Sequence, residues 1–454
     1  MSKDVIVLLP GILGSALEKG GKPVWDVTAG AIGNALFSLG TSVSDLALSR
    51  EGSTGDGVTA THLLTNAHIV PFFWKIDGYD DLSRFIQEKL KLTPGEDFFE
   101  FPYDWRLDNR ISAKRLAAAA LSWLERRRHQ YSDARLVLIG HSMGGLVARY
   151  FLEVLNGWKD TKMLITLGTP YRGSVKALDF LANGLRRKLG PLKLLDLTKL
   201  VQSLPSAYQL LPIYQCVGKA EDQLQHLETL QQKKVGDLDV DRARAGIAFH
   251  REIDKAAEAN RRQSGYGYHI VPVVGTYQPT FQSALFTPDG VKPLLTYAGQ
   301  PMREGDGTVP SFSATPIEMS TANVEMFVAC PHASLQNFDP VRNQLRAVLE
   351  DMNISQLKGV PSEPLSLDMQ DAFAGEQEVR VRVRCAAAID PLQAVVSNVE
   401  TGATVQRQSS GSPDAEGWQD LNVGILPGGT YRIEVDEADN LAESISDLFV
   451  VIDA

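Results

Sequence analysis

The stretch that most constrains this chain is Leu136-Val137-Leu138-Ile139-Gly140-His141-Ser142-Met143-Gly144-Gly145. An apolar strand pattern runs into a glycine-flanked serine and then into a helical pattern, Met143 to Leu155. A serine at such a sharp strand-to-helix turn is lifted clear of the backbone with its Oγ exposed to a reactant. Gly140 and Gly144 lack a Cβ, so strand and helix can close around it. The helix that follows points its N-terminal dipole at the same place, where an oxyanion would be stabilised. Ser142 is therefore the candidate nucleophile.

The flanking patterns say what carries this turn. Val5–Leu9, Phe98–Phe101, Arg135–Ile139 and Lys162–Leu167 read as strands, and 81–92, Ile111–Arg128 and Met143–Leu155 as helices. That alternation predicts an α/β domain with a mostly parallel sheet. From Lys176 to Gln263 there are helical and polar patterns but no buried strand, which predicts a helical cap inserted at 175–265. Strands resume at His269–Thr276 and Asn323–Ala329, and Asp339 is the expected N-cap of a last helix with Pro340 at its first position. The catalytic domain is thus expected to span 1–352, with a linker at 353–374 around Pro361 and Pro364. Gln377–Arg384 alternates apolar and charged residues, and Ala394–Ser397, Leu421–Ile425, Thr430–Val435 and Leu448–Ile452 follow with turns between them. Residues 375–454 therefore read as a small all-β sandwich.

A serine nucleophile needs a base and an orienting acid, which follow this kind of elbow in the order Ser, Asp or Glu, His. Four histidines follow Ser142: His226, His250, His269 and His332. The first two lie in the expected cap and the third opens a strand. Only His332 sits on a loop after a late strand. Gly305-Asp306-Gly307 places a carboxylate in a tight loop before it, so Asp306 is the expected acid and Asp289, in another Asp-Gly turn, the alternative. Oxyanion donors are expected from the N–H of Met143 and from the loop ending the first strand, where Ile12 follows Pro10-Gly11.

These pieces resemble the lecithin:cholesterol acyltransferase family of α/β hydrolases, which includes phospholipid:diacylglycerol acyltransferases and lysosomal phospholipases. The resemblance rests on Pro10-Gly11-Ile12-Leu13-Gly14-Ser15, Pro102-Tyr103-Asp104-Trp105-Arg106, Gly140-His141-Ser142-Met143-Gly144 and Gly168-Thr169-Pro170-Tyr171-Arg172-Gly173-Ser174. Leu204-Pro205-Ser206 with Leu210-Leu211-Pro212, Gly305-Asp306-Gly307-Thr308-Val309-Pro310 and His332 complete it, over residues 5–350. It implies acyl-ester chemistry on lipids, by a phospholipase or a lipid acyltransferase, with Ser142, Asp306 and His332 as the triad. Leu13, Trp105, Tyr171 and Arg172, which stand in the matching pieces, become candidate substrate-binding residues. Secreted animal members carry a cysteine-paired lid near the N-terminus, whereas no cysteine here precedes Cys216; Tyr171-Arg172 stands where those members have Trp-Gly. The β-rich tail lies outside the resemblance.

Composition narrows the partners. The net charge of −10 argues against a general nucleic-acid binder. Cys216, Cys330 and Cys385 show no metal-ligand spacing and read as buried thiols; no metal or cofactor is expected. The apolar run Val5–Leu9 is too short to span a membrane and precedes no cleavage signal, so the expectation is a cytoplasmic protein. Residues 175–200 hold six basic and two acidic residues among leucines. The preferred reading is an amphipathic cap helix packed on the core, with transient contact to an anionic lipid surface as the rival. Phe72-Phe73-Trp74 is likewise read as core before lipid anchor. The rival function is a scaffold with an inert hydrolase fold that meets a protein partner through its β domain.

Overall fold

The computed structural model describes residues 3–26, 46–48, 56–65, 68–70, 74–189, 193–301, 304–319, 326–350, 365–385, 392–436 and 444–452. Strands β1 (Val5–Leu9), β2 (Phe98–Glu100), β3 (Leu136–His141), β4 (Thr161–Leu167), β5 (His269–Gly275) and β6 (Met326–Val328) form a six-stranded sheet. Their order is β6-β5-β4-β3-β1-β2 and every pairing is parallel. β1 and β3 are buried along their whole length, as continuous apolar strands covered on both faces must be. Helices α1 (Asp80–Leu90), α2 (Asn109–Arg128) and α3 (Met143–Val154) provide cover early in the chain. α2 opens on Asp108, whose side chain accepts from the Arg110 N–H, and ends on Arg126–Arg128, a charge order that suits the helix dipole. This is the α/β-hydrolase fold.

The insertion between β4 and β5 is less helical than expected. It holds α4 (Val175–Asn183) and α5 (Val240–Asn260), but Arg186–Leu189 and Lys193–Asp196 pair as an antiparallel hairpin. The basic, leucine-rich stretch is therefore helix and then hairpin, not one amphipathic helix. Gly184, at φ 70°, ends α4 where a Cβ would meet the Thr198 side chain at 2.7 Å, and this breaks the helical run. The side chains of 187–195 lie outside the described residues, as do Phe72 and Phe73. Short strands such as Val217–Gly218 also occur, paired with Ser283–Thr287 from beyond the insertion. A two-residue strand with a distant partner leaves no periodicity to read. The last helix, α6, spans Asp339–Leu349 with Phe338 at the N-cap, so Asp339 is its first residue instead of the cap.

The C-terminal unit begins earlier than expected. Its strands are β7 (Leu365–Asp368), β8 (Ala372–Ala374), β9 (Val379–Cys385), β10 (Gln393–Asn398), β11 (Thr404–Ser409), β12 (Trp418–Gly424), β13 (Gly429–Asp436) and β14 (Ile445–Ile452). They form a three-stranded sheet, β7-β9-β12, and a five-stranded sheet, β8-β14-β13-β10-β11. Val381, Val383 and Leu421 from the first sheet share one buried cluster with Val396, Ile433 and Phe449 from the second. β7 and β8 fall inside the stretch 353–374 expected to be linker; Leu365 pairs with Cys385 and Ala372 with Val450. They are three and four residues long, too short to alternate visibly. The prolines Pro361 and Pro364 lie outside the described residues. Cys216, Cys330 and Cys385 are buried thiols. Among the described residues no helix is long and apolar enough to cross a membrane.

Candidate active site

β3 ends at His141 and α3 begins at Met143, so Ser142 is the whole turn between them. Its backbone sits at φ 50°, ψ −122°, a conformation that costs a residue with a Cβ about 1–3 kcal/mol. Bare backbone on both sides makes room for it. A Cβ on Gly140 would lie 2.6 Å from the Gly145 nitrogen, and one on Gly144 would lie 2.4 Å from the Pro10 oxygen. The Ser142 N–H donates to the Leu167 carbonyl at 2.8 Å, and Thr169 Oγ1 donates to the Ser142 carbonyl at 2.9 Å. The turn is thus fastened to the end of β4.

Three side chains distant in sequence meet here. His332 Nε2 lies 2.9 Å from Ser142 Oγ, and His332 Nδ1 lies 2.6 Å from Asp306 Oδ2. Asp306 Oδ1 accepts the N–H groups of Thr308 at 2.9 Å and Val309 at 2.7 Å, so its own loop fixes the carboxylate. The His332 N–H donates to the Asp306 carbonyl at 2.8 Å. All three residues are at least 96% buried. Gly168, at φ 58°, lies beneath the group, where a Cβ would meet Asp306 Oδ2 at 2.9 Å and His332 Nδ1 at 3.0 Å. Asp289, the alternative acid, is exposed on the turn between strands Ser283–Thr287 and Gly290–Leu294.

The loop after β1 passes against the serine: a Cβ on Gly11 would lie 3.1 Å from Ser142 Cβ. Ile12 follows on that loop, and Met143, directly after Ser142, opens α3. The other sequence candidates spread out. The Leu13 carbonyl accepts the Trp25 indole N–H at 2.9 Å. Trp105 is fully buried, gives its indole N–H to the Ser15 carbonyl at 3.1 Å and packs edge-on against Trp25; it supports the core and does not line the cavity beside His332. Tyr171 is buried with its hydroxyl on Thr166 Oγ1, and burial pushes its pKa up to about 12. Arg172 Nε donates to the Thr315 carbonyl at 3.3 Å.

Sequence reasoning missed a second polar chain behind the elbow. The Gly11 N–H donates to Tyr79 Oη at 2.8 Å, and Tyr79 Oη lies 2.8 Å from His141 Nδ1. His141 Nε2 lies 3.1 Å from the His332 carbonyl. A carbonyl only accepts, so Nε2 carries the proton and Nδ1 accepts from the Tyr79 hydroxyl. Burial, reinforced by the neighbouring His332, lowers the His141 pKa to about 3, so this imidazole stays neutral. The chain links the glycine before Ile12, the residue before Ser142 and the backbone of His332. Nothing local at Tyr79 signals a partner 62 residues later.

Sheet, elbow and loop order together make an α/β-hydrolase fold that carries a Ser-His-Asp arrangement. Residues 70–244 match the model of the family described as lecithin:cholesterol acyltransferase. The phosphatidylcholine-sterol acyltransferase of Gallus gallus is 41% identical over 86 residues, which are 18% of this chain and 20% of that protein. The lysosomal phospholipase A and acyltransferase of Homo sapiens is 34% identical over 108 residues, 22% of this chain and 26% of that protein. The chain therefore spans about a fifth to a quarter of the length of these relatives. The structure of Bacillus licheniformis lipase BlEst2 in its propeptide form aligns over 99% of this chain and 94% of that one, at 13% identity and a TM-score of 0.34, too weak a likeness to bear on the fold.

Two outcomes follow. Tyr79→Phe removes one oxygen and leaves the Gly11 N–H and His141 Nδ1 unpaired, which should cost about 1–3 kcal/mol in urea unfolding; an unchanged midpoint would show that water replaces the hydroxyl. His250, also buried, hydrogen-bonds the Gln209 carbonyl at 2.7 Å, and burial lowers its pKa to about 4. Unfolding returns His141 and His250 to about 6.5. Between about pH 6.5 and 4 the unfolded chain therefore binds more protons, and stability falls as pH falls. The His250→Gln variant should show a shallower fall over that window, and an unchanged slope would count against a neutral buried His250.

Proposed function

We propose that this protein is a serine esterase of lipid acyl esters, a phospholipase or lipid O-acyltransferase. The observation that carries the reading is the pair of contacts on one imidazole: 2.9 Å to Ser142 Oγ and 2.6 Å to Asp306 Oδ2. Ser142 Oγ attacks the ester carbonyl while His332 Nε2 takes its proton. Asp306 holds Nδ1 and stabilises the imidazolium. The Ile12 and Met143 N–H groups receive the carbonyl oxygen as it gains charge, aided by the α3 dipole. His332 then protonates the leaving alcohol, and water or a second alcohol releases the acyl group from Ser142. The relatives' names, phosphatidylcholine-sterol acyltransferase and lysosomal phospholipase A and acyltransferase, favour a phospholipid acyl donor.

The test is a panel of phospholipid, lysophospholipid and short-chain esters, scoring free fatty acid and newly formed ester separately. Wild type should release acyl groups, and Ser142→Ala should lose at least about 1,000-fold in kcat with an unchanged circular dichroism spectrum. Full turnover by Ser142→Ala would remove the assignment. The ratio of fatty acid to new ester with an added alcohol distinguishes hydrolysis from transfer.

A further inference from the structure

The C-terminal β unit touches the hydrolase at the loops that hold Asp306 and His332. The outer edge of β7, opposite β9, presents the Leu365 carbonyl and the Leu367 N–H. One buried side chain satisfies both: Gln278 Nε2 donates to Leu365 at 3.1 Å, and Gln278 Oε1 accepts from Leu367 at 2.9 Å. A primary amide offers the same donor and acceptor as a peptide group, so Gln278 pairs with the strand edge as another strand would. The Gln278 backbone meanwhile pairs with Gly305, its N–H donating to the Gly305 carbonyl at 2.9 Å. Glu304, two residues before Asp306, takes both carboxylate oxygens to Arg384 Nη2 of β9, at 2.8 and 3.0 Å.

The histidine side is held similarly. Arg432 of β13 forks onto Asp77, with Nη1 at 2.9 Å from Oδ2. The Asp77 N–H donates to the Ala333 carbonyl, next to His332, at 3.2 Å. Lys75, two residues earlier, lies 2.8 Å from Asp371 and 2.6 Å from Asp447 of the β unit. Residues 75–79 thus run from the β unit, past the His332 loop, to Tyr79 and the Gly11 loop. Leu367 and Met369 of the β unit also wall a cavity of about 650 Å³ that Asp306 and His332 border from the hydrolase side.

We propose that the C-terminal β unit is a positioning element for the reaction, holding the Asp306 and His332 loops through Gln278, Glu304 and Asp77. This rests on the esterase reading above. A detachable targeting module would meet the hydrolase at surfaces remote from its triad; here four polar ties land on or beside the loops that build it.

The test uses the full chain. Gln278→Ala strips the edge of β7, and Arg384→Ala breaks the half-exposed tie to Glu304 with little risk to folding. Each should lower kcat by about 10-fold or more, because ångström-scale misplacement of a base or its orienter is expensive. For Arg384→Ala, KM should change less than kcat, since Arg384 does not line the cavity that Gln278, Asp306 and His332 border. Arg384→Lys keeps the charge and should recover part of the loss. A drop in thermal midpoint with kcat of the folded fraction unchanged in both alanine variants would reduce the β unit to structural support and overturn the proposal. If Ser142→Ala is inactive while these variants keep full kcat, the positioning role fails alone. If Ser142→Ala is active, the esterase reading itself has failed.

Discussion

Everything in the site depends on the strain at Ser142. A serine at φ 50° is stable only if its surroundings over-determine the turn. Here they do so with absent side chains as much as with present ones. Gly140 and Gly144 bring β3, α3 and the Pro10 carbonyl within distances no Cβ would allow, and Thr169 fastens the carbonyl of the turn to the end of β4. With the turn fixed, Oγ has only a few staggered positions, and in one of them it lies 2.9 Å from His332 Nε2. The remaining polar groups near the site keep His332 and the Gly11 loop at that distance.

Much of this was legible in the sequence because its signals are local. Continuous apolar runs gave β1, β3 and β4, and the glycine spacing gave the elbow. Asp306 between two glycines and His332 after a late strand were legible from chain order, and the structure brings both to Ser142. The Asp339 cap was off by one residue, as helix ends often are. Long-range, non-periodic features were not legible. Val217–Gly218 forms a strand only because Ser283–Thr287 lies beside it, and β7 exists only against β9 and Gln278. Tyr79 gives no sign of its role until Gly11 and His141 are in view. Trp105 illustrates the opposite error: a residue in one of the pieces that carry the resemblance supports the core beneath Ser15.

The β unit changes how the molecule should be divided. Composition suggests a tail joined by a linker, yet its first two strands begin within that stretch and its charged residues complete ion pairs with the hydrolase, from half-exposed at Arg384 to largely buried at Asp447. Lys75 shows the electrostatic logic. Burial alone would lower its pKa, but Asp371 and Asp447 reverse that and hold it above its ordinary value. Buried pairs of this kind add little net stability but strongly penalise separation, because each charge left alone is costly. That makes the contact between the two units a matter of register, which suits a surface that abuts the acid and histidine loops.

The most direct measurement is covalent labelling with a fluorophosphonate, followed by intact mass and peptide mapping. The account predicts one adduct per chain, carried by Ser142, absent in Ser142→Ala and formed far more slowly in His332→Ala. An adduct on another residue, or equal labelling of Ser142→Ala, would contradict it.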